Sequence, residues 1–324
     1  MSTMDLIKAP IAVEMKKFNS FFNSSMKSKV PLLNIIMNYI LRKKGKQMRP
    51  MLVFLTAKLN GEIRESSYTA ASLIELLHTA TLIHDDVVDE SYERRGFFSI
   101  NALWKSKIAV LVGDYLLSRG LLLAIEKKEF ELLEIVSEAV KEMSEGELLQ
   151  IQKSRKLNLS EEDYFDIIRK KTAALIASCS ACGSKSVKAD NEVVEKMKKF
   201  GENVGIAFQI RDDLFDYQKK GILGKPTGND IKEKKLTLPL IHSLKSTTYS
   251  ERRRILNIVR HHNKNSKKVN EVIQFVKENG GIEYSTKKMQ EFKDTALEIL
   301  SQFPENDAKS SLIEFVNYTI TREK

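Results

Sequence analysis

"ELLHTATLIHDDVVDESYERRG", residues 75–96, is the stretch whose reading decides the fold. With the five residues before it, the chain is apolar almost all round over 70–83, the pattern of a helix that runs into an interior. At 100° per residue, His78, Asp85 and Asp89 sit at offsets 0, 7 and 11, within about 20° of a common line. Asp85 and Asp89 are four residues apart, which places their Cβ atoms roughly 5–6 Å from one another. Two like charges at that spacing repel, unless water solvates them or a cation bridges them. The apolar run leading up to them counts against a plain solvated surface.

A second stretch repeats the pattern. "GIAFQIRDDLFDYQ", residues 205–218, also ends an apolar helical run, and it carries Asp212, Asp213 and Asp216 in the same D-D-x-x-D spacing. The clusters begin 212 − 85 = 127 residues apart, room for several helices between them. Two such clusters predict facing carboxylates. Hard oxygen ligands suit Mg²⁺, with Mn²⁺ as a substitute. Mg²⁺ keeps waters and shares substrate phosphates, which gives a reason for Arg94, Arg95 and the Lys46 and Arg49 of "GKQMRP" (45–50). Glu75 and His78 also form the Glu-x-x-His pair of di-iron bundles, but no other histidine has a glutamate three residues before it.

The rest of the chain is helical in period. Apolar residues recur at three and four spacing over 32–41, 68–83, 108–125, 130–151, 163–182, 192–217, 236–245, 252–259, 269–278, 283–300 and 308–320. Gly and Pro total 20 of 324 residues, so breakers are few. Ser160 reads as an N-cap, "NGG" at 279–281 as a helix end, and 221–230 as a loop. The expectation is one all-α domain over 1–324. A formal charge of +10 fits a phosphorylated ligand, a membrane surface or solvated lysine faces. No aromatic residues interleave with a basic stripe, which argues against nucleic acid. The apolar runs fall short of the ~20 residues of a spanning helix, and the N-terminus lacks a signal-peptide pattern, so a cytoplasmic protein is expected. Cys179 and Cys182 lack further ligands at zinc spacing and read as packing thiols.

Five motifs in order resemble the trans-isoprenyl diphosphate synthases, the polyprenyl synthetase family: "GKQMRP", "ELLHTATLIHDDVVDESYERRG", "RKKTAAL" (169–175), "FQIRDDLFD" (208–216) and "GKPTGNDIKEKKLTLP" (224–239). The resemblance implies a single large bundle of antiparallel helices around a central substrate cavity. It implies Asp85, Asp89 and Asp212 as Mg²⁺ ligands, with Asp216 acting closely or through water. Lys171, Lys225, Lys235 and Arg94 match the residues that hold an allylic diphosphate. Gly45, Lys46, Arg49, His78 and Arg95 match the isopentenyl diphosphate site, and Thr172 and Gln209 line the path between the substrates. Gln47 departs from the family's Gly-Gly-Lys-Arg and removes one charge there.

The activity implied is ionisation of the allylic diphosphate, condensation with isopentenyl diphosphate and loss of a proton, by a homodimer. A transient contact with a membrane surface is expected for release of a lipid product. Bulky aromatic residues at the positions of Ala80 and Thr81 stop chain growth early in this family. Both side chains are small here, so a long-chain, octaprenyl-like product is expected. The alternatives are a short-chain farnesyl or geranylgeranyl synthase, a non-catalytic partner subunit of a two-component synthase, and a terpene cyclase. A cyclase has no second substrate for Lys46, Arg49 and His78 to hold.

Overall fold

Helices account for almost every ordered element of the computed structural model, which describes residues 3–42, 45–94, 97–217 and 227–321. In chain order these are α1 (Thr3–Lys8), a 3₁₀ turn (Ala9–Ile11), α2 (Ala12–Ser25), α3 (Pro31–Arg42), α4 (Met48–Asn60), α5 (Glu65–Val88) and α6 (Ile100–Glu126). Then come α7 (Phe130–Lys156), α8 (Glu161–Ile168), a π-helical turn (Arg169–Ala173), α9 (Ala174–Ser186) and α10 (Asn191–Phe215). The chain closes with α11 (Asn229–Lys232), α12 (Leu238–Lys245), α13 (Tyr249–His261), α14 (Ser266–Glu278), α15 (Gly281–Ser301) and α16 (Asp307–Thr321). Between α5 and α6 lies a two-residue antiparallel pair, β1 (Glu93–Arg94) with β2 (Phe97–Phe98), too short to leave a period-two signal in the sequence.

The ends form where local chemistry directs. Ser160 caps α8 as expected: its Oγ accepts the Asp163 N–H at 3.0 Å, and the Asp163 carboxylate accepts the Ser160 N–H at 3.2 Å. α14 stops at Asn279, and Gly280 follows in the left-handed region.

The chain divides into two compact units. Unit 1 holds Met1–Val140, Ala177–Lys198 and Gln302–Phe315. Its core helix is α4, buried from Pro50 to Ala57 and again at Leu59. α9 fits closely against it at Gly183, where a Cβ would meet Thr56 Oγ1 at 1.9 Å and the Val53 carbonyl at 2.4 Å. α5 packs along α6 through Leu73, Leu77 and His84, which rest on Gly120 and Gly113. Ala80 and Thr81 flank this stripe, about 40° and 60° from its centre on the wheel; Ala80 is buried and Thr81 half-buried.

Unit 2 holds Lys141–Ile176, Lys199–Ser301 and Val316–Lys324. Ile206, Ile210, Leu214 and Tyr217 of the α10 end pack with Leu238, Leu240, Ile255, Val272 and Val276 in its core. Two close approaches fix the π turn. A Cβ on Gly146 of α7 would lie 2.9 Å from the Lys171 nitrogen, and one on Gly205 of α10 would lie 2.6 Å from Ala173 Cα. The turn is thus flanked by two helices that come near only because those residues lack side chains.

Candidate active site

In unit 1, α5 ends at the first aspartate cluster. Asp85 is half-buried, Asp86 is buried, and Asp89 is exposed at the C-cap. The Asp89 N–H donates to the Asp85 carbonyl at 2.8 Å, so the two residues keep the one-turn spacing read from sequence. The Ser91 N–H donates to the Asp86 carbonyl at 2.9 Å and turns the chain into the β1–β2 pair. Arg94 sits in that pair, its backbone opposite Phe97. Arg95 lies outside the described residues, as does Lys225. His78 is buried, Arg49 half-buried, and Gly45 and Lys46 exposed. Gln47, where the sequence departs from the family motif, adopts a left-handed backbone (φ 54°). Its side-chain amide donates to Asn19 Oδ1 at 3.0 Å. Cys179 and Cys182 are buried free thiols; burial pushes Cys179 up to about 12, partly offset by the Arg49 charge.

In unit 2, a cavity of about 220 Å³ is lined by Lys171, Thr172, Gln209, Asp213, Asp230 and Lys235, among others. A chain of hydrogen bonds orders its wall. Thr172 Oγ1 donates to Gln209 Oε1 at 2.8 Å, Gln209 Nε2 donates to Asp213 Oδ1 at 2.8 Å, and Tyr164 Oη donates to Asp213 Oδ2 at 2.7 Å. Lys171 pairs with Glu147 and donates to Gln150 at 3.2 Å. Lys235 pairs with Glu233 at 2.6 Å. Burial pushes the Asp213 carboxyl up to about 7; the Asp212 charge adds to this, while its two hydrogen bonds and Lys235 oppose it. Burial, then the charges of Asp213 and Asp216, push Asp230 up to about 8. Asp216 gives each carboxylate oxygen to a backbone N–H, of Asn229 and of Asp230, at 2.9 Å.

Sequence reasoning passed over Tyr164, Glu147, Gln150 and Asp230. Gly146, one residue before Glu147, was a usable signal, because a lone glycine inside a long helix implies close approach. Nothing in the spacing marked Tyr164.

Among the described residues, no three carboxylate, imidazole or thiolate groups form a ready-made metal cage. The donor set suits Mg²⁺ nevertheless, since that ion takes one or two carboxylates and completes its shell with water and phosphate oxygens. Carboxylates at the ends of α5 and α10, and lysines beside a polar cavity in unit 2, are the kinds of group that a metal-bound diphosphate would need.

The polyprenyl synthetase family model matches residues 30–276. An all-trans-nonaprenyl-diphosphate synthase (geranyl-diphosphate specific) of Rhodobacter capsulatus is 35% identical, over 98% of this chain and 97% of that protein. A decaprenyl diphosphate synthase structure from Rhodobacter capsulatus superposes with a TM-score of 0.93 at 32% identity, over 99% of this chain and 100% of that one. A geranylgeranyl pyrophosphate synthase structure from Bacteroides thetaiotaomicron gives 0.85 at 38% identity, over 99% and 100%. The chain belongs to the polyprenyl synthetase family and is a prenyltransferase acting on isoprenyl diphosphates.

Proposed function

We propose that the chain condenses isopentenyl diphosphate with an allylic diphosphate, in a Mg²⁺-dependent reaction, to give a long-chain all-trans polyprenyl diphosphate. The observation that carries this reading is the cavity that Lys171 and Lys235 line together with Thr172, Gln209, Asp230 and Asp213 of the second aspartate cluster. Two cations beside carboxylates are what a metal-bound diphosphate requires. We read both units as one catalytic domain, and the family match runs through both.

Asp85, Asp89 and Asp212 would hold Mg²⁺. When bound, Mg²⁺ neutralises the charge that builds on the departing diphosphate. Lys171 and Lys235 exchange their partners Glu147 and Glu233 for the allylic diphosphate; by the motif resemblance, Arg94 and Lys225 bind the same group. The C1–O bond breaks heterolytically and its electron pair leaves with the diphosphate. Gly45, Lys46, Arg49, His78 and Arg95 hold isopentenyl diphosphate, whose double bond attacks the allylic cation. A C2 proton then passes to the released diphosphate, and the chain is one isoprene unit longer. Thr172 and Gln209 line the path between the substrates.

Product length falls to Thr81 more than Ala80, because Ala80 is fully buried and Thr81 only half-buried. The homodimer reading is supported by α6, which leaves Leu111, Leu122 and Ile125 exposed within about 60° of arc. By length and composition α6 is apolar enough to cross a membrane, but it kinks at Lys105 and seats α5 on Gly113 and Gly120. The net charge of +10 suits the transient membrane contact that a lipid product calls for.

Purified protein given labelled isopentenyl diphosphate and farnesyl diphosphate should incorporate label with Mg²⁺ and not with EDTA. No incorporation would favour a non-catalytic subunit. Consumption of the allylic substrate alone would favour a cyclase.

A further inference from the structure

Asp216 lies one turn beyond Asp212, yet its side chain is committed to backbone thirteen and fourteen residues further on. Oδ1 accepts the Asn229 N–H and Oδ2 the Asp230 N–H, each at 2.9 Å. The Asp216 carbonyl accepts the Gly228 N–H at 3.0 Å. Asp216 is 9% exposed, so water competes little for these bonds. Gly228 is left-handed (φ 78°), and a Cβ there would come 2.3 Å from Val269 Cγ1. Residues 228–230 are thus held from two directions, by three hydrogen bonds to Asp216 and by contact with Val269 of α14. They open α11, and Lys235 follows: its N–H donates to the Asp230 carbonyl at 2.8 Å, and it lines the cavity. A carboxylate accepting backbone N–H groups on both oxygens is bonded as a helix N-cap is.

We infer that Asp216 is a positioning residue for the allylic diphosphate: it anchors the Gly228–Lys235 segment and so sets where the Lys235 ammonium stands. This rests on the prenyl-transfer reading above and narrows it, since the loss of Asp216 then falls on substrate binding and not on Mg²⁺.

Two measurements on Asp216→Ala, Gly228→Ala and Asp212→Ala test the anchor. The first is amide hydrogen exchange of the metal-free protein. In Asp216→Ala and Gly228→Ala, amides of 228–235 should exchange at least ~10-fold faster than wild type; in Asp212→Ala they should not. The second is steady-state kinetics. Asp216→Ala and Gly228→Ala should raise KM for farnesyl diphosphate roughly 10–100-fold, while KM for isopentenyl diphosphate and the Mg²⁺ concentration at half-maximal rate stay within about twofold. Asp212→Ala should instead raise the Mg²⁺ requirement. Gly228→Ala loosens the segment without touching a carboxylate, so agreement between it and Asp216→Ala separates anchoring from metal binding. The inference is overturned if Asp216→Ala shifts the Mg²⁺ requirement as Asp212→Ala does with exchange over 228–235 unchanged. It is equally overturned if Gly228→Ala leaves KM for farnesyl diphosphate unaltered. Wild-type protein that incorporates no isopentenyl diphosphate would sink the prenyl-transfer reading, and the exchange measurement would still decide the anchor.

Discussion

The aspartates of the second cluster differ in what packs against them. Asp213 spends its carboxylate on Tyr164 and Gln209, and Asp216 spends its own on Asn229 and Asp230. Asp85→Ala and Asp212→Ala should each lower turnover by several orders of magnitude with helical circular dichroism unchanged, and near-wild-type turnover in either would contradict the metal assignment. Asp230 makes a pH prediction. Its folded carboxyl titrates near 8, well above the ordinary 3.8, so the folded chain holds a proton that the unfolded chain has already released. Stability from this group is full below about pH 4 and is lost as pH rises toward 8. In metal-free protein, Asp230→Asn should therefore flatten the fall in Tm between pH 5 and pH 8. An Asp230→Asn profile parallel to wild type would show that the group does not titrate in that window. The five-motif pattern made both aspartate clusters legible, but D-D-x-x-D spacing does not distinguish a metal ligand from a backbone anchor. That difference depends on what packs opposite each side chain.

The π turn Arg169–Ala173 is the element on which the lysine site depends. It sets Lys171 toward Glu147 and Thr172 toward Gln209, and single-turn π segments recur at functional sites. Gly205→Ala would place a methyl group 2.6 Å from Ala173 Cα, so α10 or the turn must shift. Overpacking of this kind costs about 1–3 kcal/mol. The variant should show a lowered Tm and a larger loss in kcat/KM for the allylic substrate than for isopentenyl diphosphate. An equal loss for both would mean the turn does not set Lys171. Most helices were readable because their apolar residues recur at helical spacing and their caps are Ser160, Asn279 and Gly280. The π turn was not, since one extra residue per turn leaves a five-residue stretch indistinguishable from α-helix by pattern. The positive φ of Lys105 inside α6 was also hidden, because lysine gives no warning of it.

At the scale of the whole molecule, α6 bears on assembly and α5 on product length. The exposed Leu111, Leu122 and Ile125 of α6 form an apolar stripe that a second copy of the chain would cover. Leu111→Glu with Leu122→Glu should convert a dimer to a monomer in sedimentation velocity at little cost to the fold, because exposed substitutions change stability by about 0.5 kcal/mol or less. A wild-type monomer, or a dimer indifferent to both charges, would contradict this assembly. The central claim, long-chain prenyl transfer, is tested most directly by chromatography of the products made from labelled isopentenyl diphosphate and farnesyl diphosphate with Mg²⁺. Wild-type protein should give a ladder reaching beyond geranylgeranyl diphosphate. Thr81→Phe, which sets an aromatic ring four residues below Asp85, should shorten the ladder while condensation continues. A wild-type product that stops at farnesyl or geranylgeranyl diphosphate, or an unchanged ladder from Thr81→Phe, would contradict the account.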